Sequence, residues 1–220
     1  MTAKTVLITG ASRGIGLTFV KHYVASGWKV IAAARNVDAA DNLRALAPHT
    51  IVQLDVADEQ SITRAAEQLQ GEDIDLLINN AGVLWRETLD NTKKADVMKQ
   101  LEVNAVGPFL RAAAAKGIAK VASLSSRMGS ITLNENGGMY GYMASKAALN
   151  MINRSLAIDL KSDGIVALVI SPGFVATDMN EFRGVVSQDD SVVGMASVFD
   201  KATIEATGSF CDYLGTPLPW

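Results

Sequence analysis

The sequence predicts one domain over residues 1–220, a doubly wound parallel α/β sheet of about seven strands with helices on both faces. Three observations carry this expectation. Short apolar runs alternate with stretches of helical periodicity from the N-terminus onward. The first four runs end at Gly10, Arg35, Asp55 and Asn80, and open parallel sheets hold ligands beyond the carboxyl ends of their strands. The first of these connections also carries three glycines, Gly10, Gly14 and Gly16, between a strand and a helix.

Each element follows from its own residues. Thr5-Val6-Leu7-Ile8 is apolar on both faces, as a strand buried on both sides must be. After the glycine turn, Ile15, Phe19, Val20, Tyr23 and Val24 recur at helical spacing and stop near Ser26-Gly27. Trp28 to Ala34 is the second strand, Asp38 to Leu46 a short helix closed by Pro48, and Thr50 to Leu54 the third strand. A helix begins at Asp58, with Glu59 in its acidic first turn. Ile74 to Ile78 is the fourth strand, followed by Asn79-Asn80-Ala81-Gly82, and Asp90 to Val103 is helical. An alanine-rich stretch after Gly107 leads to a fifth strand, Ala119 to Leu124. Asn134-Glu135-Asn136-Gly137-Gly138 marks a turn before a long helix that runs to Leu160. Gly164 to Ile170 is the sixth strand, Ser187 to Phe199 a helix, and Thr207 to Asp212 the last strand.

Composition narrows the function classes. Hydrophobic residues make up 49% and charged residues 20%, the balance of a globular chain, and the net charge is −3 with no basic run. Nucleic-acid binding has no electrostatic footprint here. No apolar stretch approaches the roughly 20 residues of a membrane helix, and no signal-peptide pattern precedes the first strand. The single cysteine, Cys211, forms no intrachain disulfide, in keeping with a cytoplasmic protein. His22 and His49 stand apart without Cys or acidic clusters, so no metal is expected.

The candidate chemistry lies in Tyr142 and Lys146. Four residues apart on a helix, they share one face. A phenol ionises near ~10, too high for proton transfer at neutral pH, and an adjacent cation lowers that value. The pair therefore predicts a general acid/base, with Tyr142 the donor and Lys146 its tuner. The glycine turn predicts a dinucleotide site, its backbone approaching a pyrophosphate that the helix N-terminus stabilises. Where an acidic residue would hold ribose hydroxyls, the second strand ends in Arg35. With Arg13 it forms a guanidinium pair suited to a 2′-phosphate, so NADPH is favoured over NADH. Trp85 either lines a pocket or covers the core. Asn104 either hydrogen-bonds backbone or holds water. Ser125, Ser126 and Ser130 are all placed to position a carbonyl or to make a turn.

In order along the chain, Thr9-Gly10-x-x-x-Gly14-Ile15-Gly16, Asp55, Asn79-Asn80-Ala81-Gly82, Asn104, Ser126, Tyr142-x-x-x-Lys146 and Pro172-Gly173 resemble the short-chain dehydrogenase/reductase family. The likeness extends over essentially the whole length and implies a Rossmann-type domain. The Ser125 to Ile131 stretch and the Gly-Gly-Met-Tyr-Gly-Tyr run look most like the subgroup of sniffer-type carbonyl reductases and bacterial C-factor proteins.

The resemblance implies a catalytic set of Asn104, Ser126, Tyr142 and Lys146. Tyr142 would protonate the carbonyl oxygen as hydride arrives. Lys146 would lower its pKa and hold the nicotinamide ribose, Ser126 would bond the substrate oxygen, and Asn104 would hold a relay water. Cofactor contacts would come from Gly10, Ser12, Arg13, Gly14, Ile15, Gly16, Arg35, Asp55, Val56, Asn80, Ala81, Gly82, Pro172, Gly173, Val175 and Thr177. Among these, Asp55 would meet the adenine, Asn80 its ribose, and Val175 and Thr177 the nicotinamide amide. Trp85, Ser126, Met128 and Phe174 would face substrate. The expected activity is hydride transfer from NADPH to an aldehyde or ketone. The alternatives are alcohol oxidation at the same site and a cofactor-binding regulatory protein with vestigial catalysis. Three departures from the family pattern stand out. The helix after Asn104 is short, which weakens the expected homodimer interface. The interval from Ser126 to Tyr142 is long. Little chain separates Met179 from Val192, implying an open pocket.

Overall fold

The computed structural model describes residues 3–108 and 118–220. Its seven parallel strands are β1 Thr5–Thr9, β2 Lys29–Ala34, β3 Thr50–Gln53, β4 Ile74–Asn79, β5 Ile118–Leu124, β6 Val166–Ser171 and β7 Phe210–Asp212. They lie in the order β3-β2-β1-β4-β5-β6-β7. The order reverses between β1 and β4, which makes the crevice beyond their carboxyl ends the place for a ligand.

The helices are α1 Gly14–Ala25, α2 Asp41–Ala45, α3 Glu59–Gln68, α4 Lys94–Leu101, α5 Tyr140–Asp159 and α6 Gln188–Lys201. Side chains alternate along each strand, so neighbours enter different cores. Val6 and Ile8 pack with Phe19, Val20 and Tyr23 of α1 and with Val192, Met195 and Phe199 of α6. Leu7 faces the other way, into a cluster with Ile62 and Ala65 of α3 and Val103. Burial on both faces is why these strands read as unbroken apolar runs.

The elements expected from sequence are present, and several end differently. The second helix is only Asp41–Ala45, because the Asn36 side chain accepts from Asp38 N and Ala39 N (3.1 and 3.2 Å) and holds that stretch as a turn. The helix expected from Asp90 begins at Lys94 and changes pitch at its end, where Glu102–Val106 forms a π-helical turn. The last strand is confined to Phe210–Asp212, since Gly208 turns at φ +77° and the Thr207 hydroxyl accepts from Ala167 N (3.0 Å). The shortened helix after Asn104, and any dimer contact it would make, fall on residues 109–117, outside the described residues. Among the described residues no helix is long and apolar enough to cross a membrane.

Candidate active site

Beyond the strand ends lies a cleft of about 440 Å³. Its floor is the turn between β1 and α1. A Cβ on Gly16 would overlap Gly10 O and come within 2.6 Å of Asn80 Nδ2, so only glycine lets the β1 turn and the residues after β4 meet. Asn80 fastens that junction, donating from Nδ2 to Thr9 O (2.7 Å) and Gly10 O (3.2 Å). The Thr9 hydroxyl accepts from both Asn80 N and Ala81 N at 2.9 Å. The N-terminus of α1 opens onto the same cleft, where its free N–H groups and dipole favour an anion.

Gly10, Ser12, Arg13, Gly14, Ile15, Gly16, Arg35, Asp55, Val56, Asn80, Ala81, Gly82, Tyr142, Lys146, Pro172 and Thr177 all line this cleft, whereas Gly173 and Val175 do not. Val175 is turned inward and pairs with Val186, and Gly173 packs on Tyr213. Asp55 accepts from Ala57 N through Oδ1 (2.9 Å), which fixes its turn. Arg13 reaches across the cleft to Asp178, Nη1 to Oδ2 3.7 Å, with the side chains 74% and 52% exposed. Arg35 is exposed at the end of β2.

Helix α5 carries the tyrosine and the lysine. Tyr142 and Lys146 are buried on its inner face, with Lys146 Nζ 5.8 Å from the phenol ring centre and donating to Leu124 O (2.8 Å). Burial pushes the Lys146 ammonium down to about 8. Burial also raises the Tyr142 phenol, against a smaller opposing effect from the Ser126 hydroxyl beside it. Lys146, expected to lower the tyrosine, is not among the influences on it here. The ammonium faces a backbone carbonyl rather than the phenolic oxygen, and loss of water governs both groups.

The serines separate by environment. Ser125 turns its hydroxyl to Asn150 Oδ1 (2.6 Å), and Ser130 accepts from Leu133 N (3.2 Å) in a turn. Ser126, which accepts from Met128 N (3.1 Å), is the one next to the phenol. Asn104 sits in the π-helical turn, a feature common at functional sites. Its Oδ1 accepts from Val83 N (2.8 Å), and its Nδ2 donates to Val83 O and Ser145 Oγ (both 2.9 Å). Of the open alternatives, the Asn104 side chain therefore takes the backbone-binding one.

Trp85, Asn104, Ser126, Met128 and Phe174 are not among the cleft-lining residues, whereas Ser125 is; Trp85 and Phe174 are exposed, at 39% and 53%. Asn36, Asp178 and Met179 do line it and were not anticipated. Asn36 closely follows the end of β2, and Asp178 and Met179 follow Thr177 in the loop after β6. The segment after Thr177 is short and tied down by side-chain hydrogen bonds. Asn180 accepts from Thr177 N (3.1 Å) and donates to Val175 O (2.7 Å), and Gln188 bridges Ala176 O (2.9 Å) to the Thr18 hydroxyl (3.1 Å). Among the described residues no group of three His, Cys, Asp or Glu could hold a metal ion.

A parallel sheet of this order, with a glycine-floored cleft and a tyrosine–lysine helix at its edge, defines a nucleotide-dependent oxidoreductase fold. The family model for short chain dehydrogenases matches residues 4–185, and the chain belongs to that family. It is 43% identical over 156 residues to the C-signal protein of Myxococcus xanthus, covering 67% of this chain and 93% of that one. Among solved structures it resembles the NADPH-bound carbonyl reductase from chicken fatty liver, with TM-score 0.91, 34% identity and all of both chains covered. It also resembles carbonyl reductase Sniffer of D. melanogaster, with TM-score 0.92, 27% identity and both chains again fully covered.

Proposed function

We propose that this chain is an NADPH-dependent reductase of aldehydes or ketones, with Tyr142 as the general acid. The observation that carries the reading is the placement of Tyr142 and Lys146 in the same cleft as the glycine turn, with burial raising the Tyr142 phenol and the Ser126 hydroxyl beside it. A general acid must carry its proton at working pH. Alcohol oxidation would run the same proton transfer in reverse, and it is the Arg13 and Arg35 pair, suited to the 2′-phosphate of NADPH, that supports reduction.

The residues present fit a dinucleotide. The Gly10–Gly16 turn and the α1 N-terminus would hold its pyrophosphate. Arg13 and Arg35 would hold a 2′-phosphate, and Asp55 and Asn80 stand where the adenosine half would lie. NADPH, when bound, supplies the hydride. Tyr142 delivers the proton to the oxygen that gains charge, Ser126 donates a hydrogen bond to that oxygen, and Lys146 as ammonium holds positive charge nearby. Asn104 keeps Val83, and with it the loop beside the cleft, in place. The likeness to an NADPH-bound carbonyl reductase supports the cofactor and the reaction class.

The test is NADPH consumption by purified protein over aldehydes, ketones, diketones and quinones, with Tyr142→Phe as the blank. Turnover that vanishes in the variant is expected. Equal turnover in both overturns the role of Tyr142. A signalling reading draws support from the likeness to the C-signal protein, and NADPH binding with no turnover on any carbonyl would favour it.

A further inference from the structure

Glu87 is a carboxylate buried to 5% exposure, and no cation pairs with it among the described residues. A buried charge is costly unless hydrogen bonds satisfy it. Both of its oxygens are engaged. Oε2 accepts from Gly141 N (2.7 Å) and Oε1 from Gln100 Nε2 (2.7 Å), while its own carbonyl accepts from Met139 N (2.9 Å). Gln100, fully buried on α4, accepts in turn from Trp85 N through Oε1 (3.0 Å). The chain of bonds has one direction, from Gly141 and from Gln100 onto Glu87, and from Trp85 onto Gln100.

One donor end is the first turn of α5, where Gly141 lies next to Tyr142. That helix lacks a cap of its own. Met139 precedes it in a left-handed conformation (φ +43°) and its side chain offers no acceptor. Glu87 takes the place of the cap, and an anion at a helix N-terminus is favourable. Gly141 makes the approach possible, since a Cβ there would overlap Gln100 Nε2 and stand 2.9 Å from Glu87 Oε1 and 3.0 Å from Val97 Cα.

We propose that Glu87 is a positioning residue for Tyr142. Through Gln100 it locks the loop carrying Trp85 to the first turn of α5, and so sets where the phenol stands in the cleft. The inference rests on the reading of Tyr142 as the acid. The relay needs two acceptors at position 87 and one at position 100, because three N–H donors converge on it. Glu87→Gln leaves one N–H facing another. Gln100→Glu sets two carboxylates face to face. Together, Glu87→Gln and Gln100→Glu restore the count. Position 87 then accepts from Gly141 N and donates to position 100, which also accepts from Trp85 N.

The experiment measures kcat, KM and NADPH affinity of the parent, both single variants and the double variant, with Tyr142→Phe alongside. Each single variant is expected to lose about tenfold or more in kcat, as displacement of a catalytic group does, with NADPH affinity kept within about twofold. The double variant is expected to return to within about threefold of the parent, a coupling that separate roles could not produce. Unchanged kcat in Glu87→Gln, or a double variant that is as slow as the singles or does not fold, overturns the proposal. If Tyr142→Phe itself keeps full turnover, the reading of the acid has failed instead.

Discussion

The two ends of the cleft are built on opposite electrostatic terms. At the α5 end, Tyr142, Lys146 and Asn104 are 9%, 6% and 0% exposed, each fixed by neighbours from more than one element. At the arginine end, Arg13 is 74% exposed and shares a 3.7 Å contact with Asp178. Buried groups lose hydration, shift their proton affinities and tolerate little displacement. Exposed charges keep their water, are screened by salt and exchange partners at small cost. The first arrangement suits a reaction step and the second suits binding a multiply charged molecule that must leave again.

The largest effect that would break this contrast is at the buried end. Tyr142→Phe is expected to lower kcat about 10²- to 10⁴-fold, the usual worth of a general acid, with NADPH affinity within a few fold of the parent. Comparable losses in both quantities would mean that the tyrosine supports the fold of the cleft rather than the chemistry.

Lys146 sharpens the same end through pH. Its folded value is about 8 against an ordinary 10.5, so between those values the unfolded chain binds more protons than the folded one. Its contribution to stability is therefore full above about 10.5 and is lost as pH falls through about 8, a difference of roughly 3 kcal/mol. Denaturant unfolding of parent and Lys146→Met at pH 7 and pH 10.5 checks this. The parent should gain on the variant at the higher pH, and a flat difference would refute it. Reductase activity should fall as pH rises through about 8, where the ammonium is lost before the phenol can ionise. The Glu87 and Gln100 exchange probes the geometry of that end.

Smaller effects belong to the exposed end. Arg13→Ala or Arg35→Ala should each weaken NADPH binding roughly tenfold, as expected for a lost charged hydrogen bond, leave NADH binding nearly unchanged, and flatten the salt dependence. Equal losses for both cofactors would remove the 2′-phosphate from the assignment. Smallest is Asp178→Asn, which frees Arg13 and should tighten NADPH binding only about two- to fivefold. That gain should vanish in an Arg13→Ala background.

The elements of the sheet were legible because β1 and β2 are buried on both faces, which writes unbroken apolar runs into the sequence. The glycine turn was legible for a similar reason, since close backbone contact at Gly16 excludes every other residue. Boundaries were less so. Asn36 shortens α2, and the π-helical turn at Asn104 ends α4, each through hydrogen bonds that periodicity does not record. Glu87 was invisible, because its partners lie 13 and 54 residues away in sequence.

By itself, then, the sequence determined the alternation of strands and helices, the order of the family motifs, and the helical spacing that sets Tyr142 and Lys146 on one face. These depend on local periodicity and on residue types with no substitute. Only the tertiary structure decided which serine meets the phenol, that Asn104 serves the backbone of Val83, and that the lysine faces Leu124 O rather than the tyrosine oxygen. It also places burial first in setting the phenol's proton affinity, with the Ser126 hydroxyl opposing it. Desolvation depends on everything packed around a group, and no pair of residues four apart carries that information.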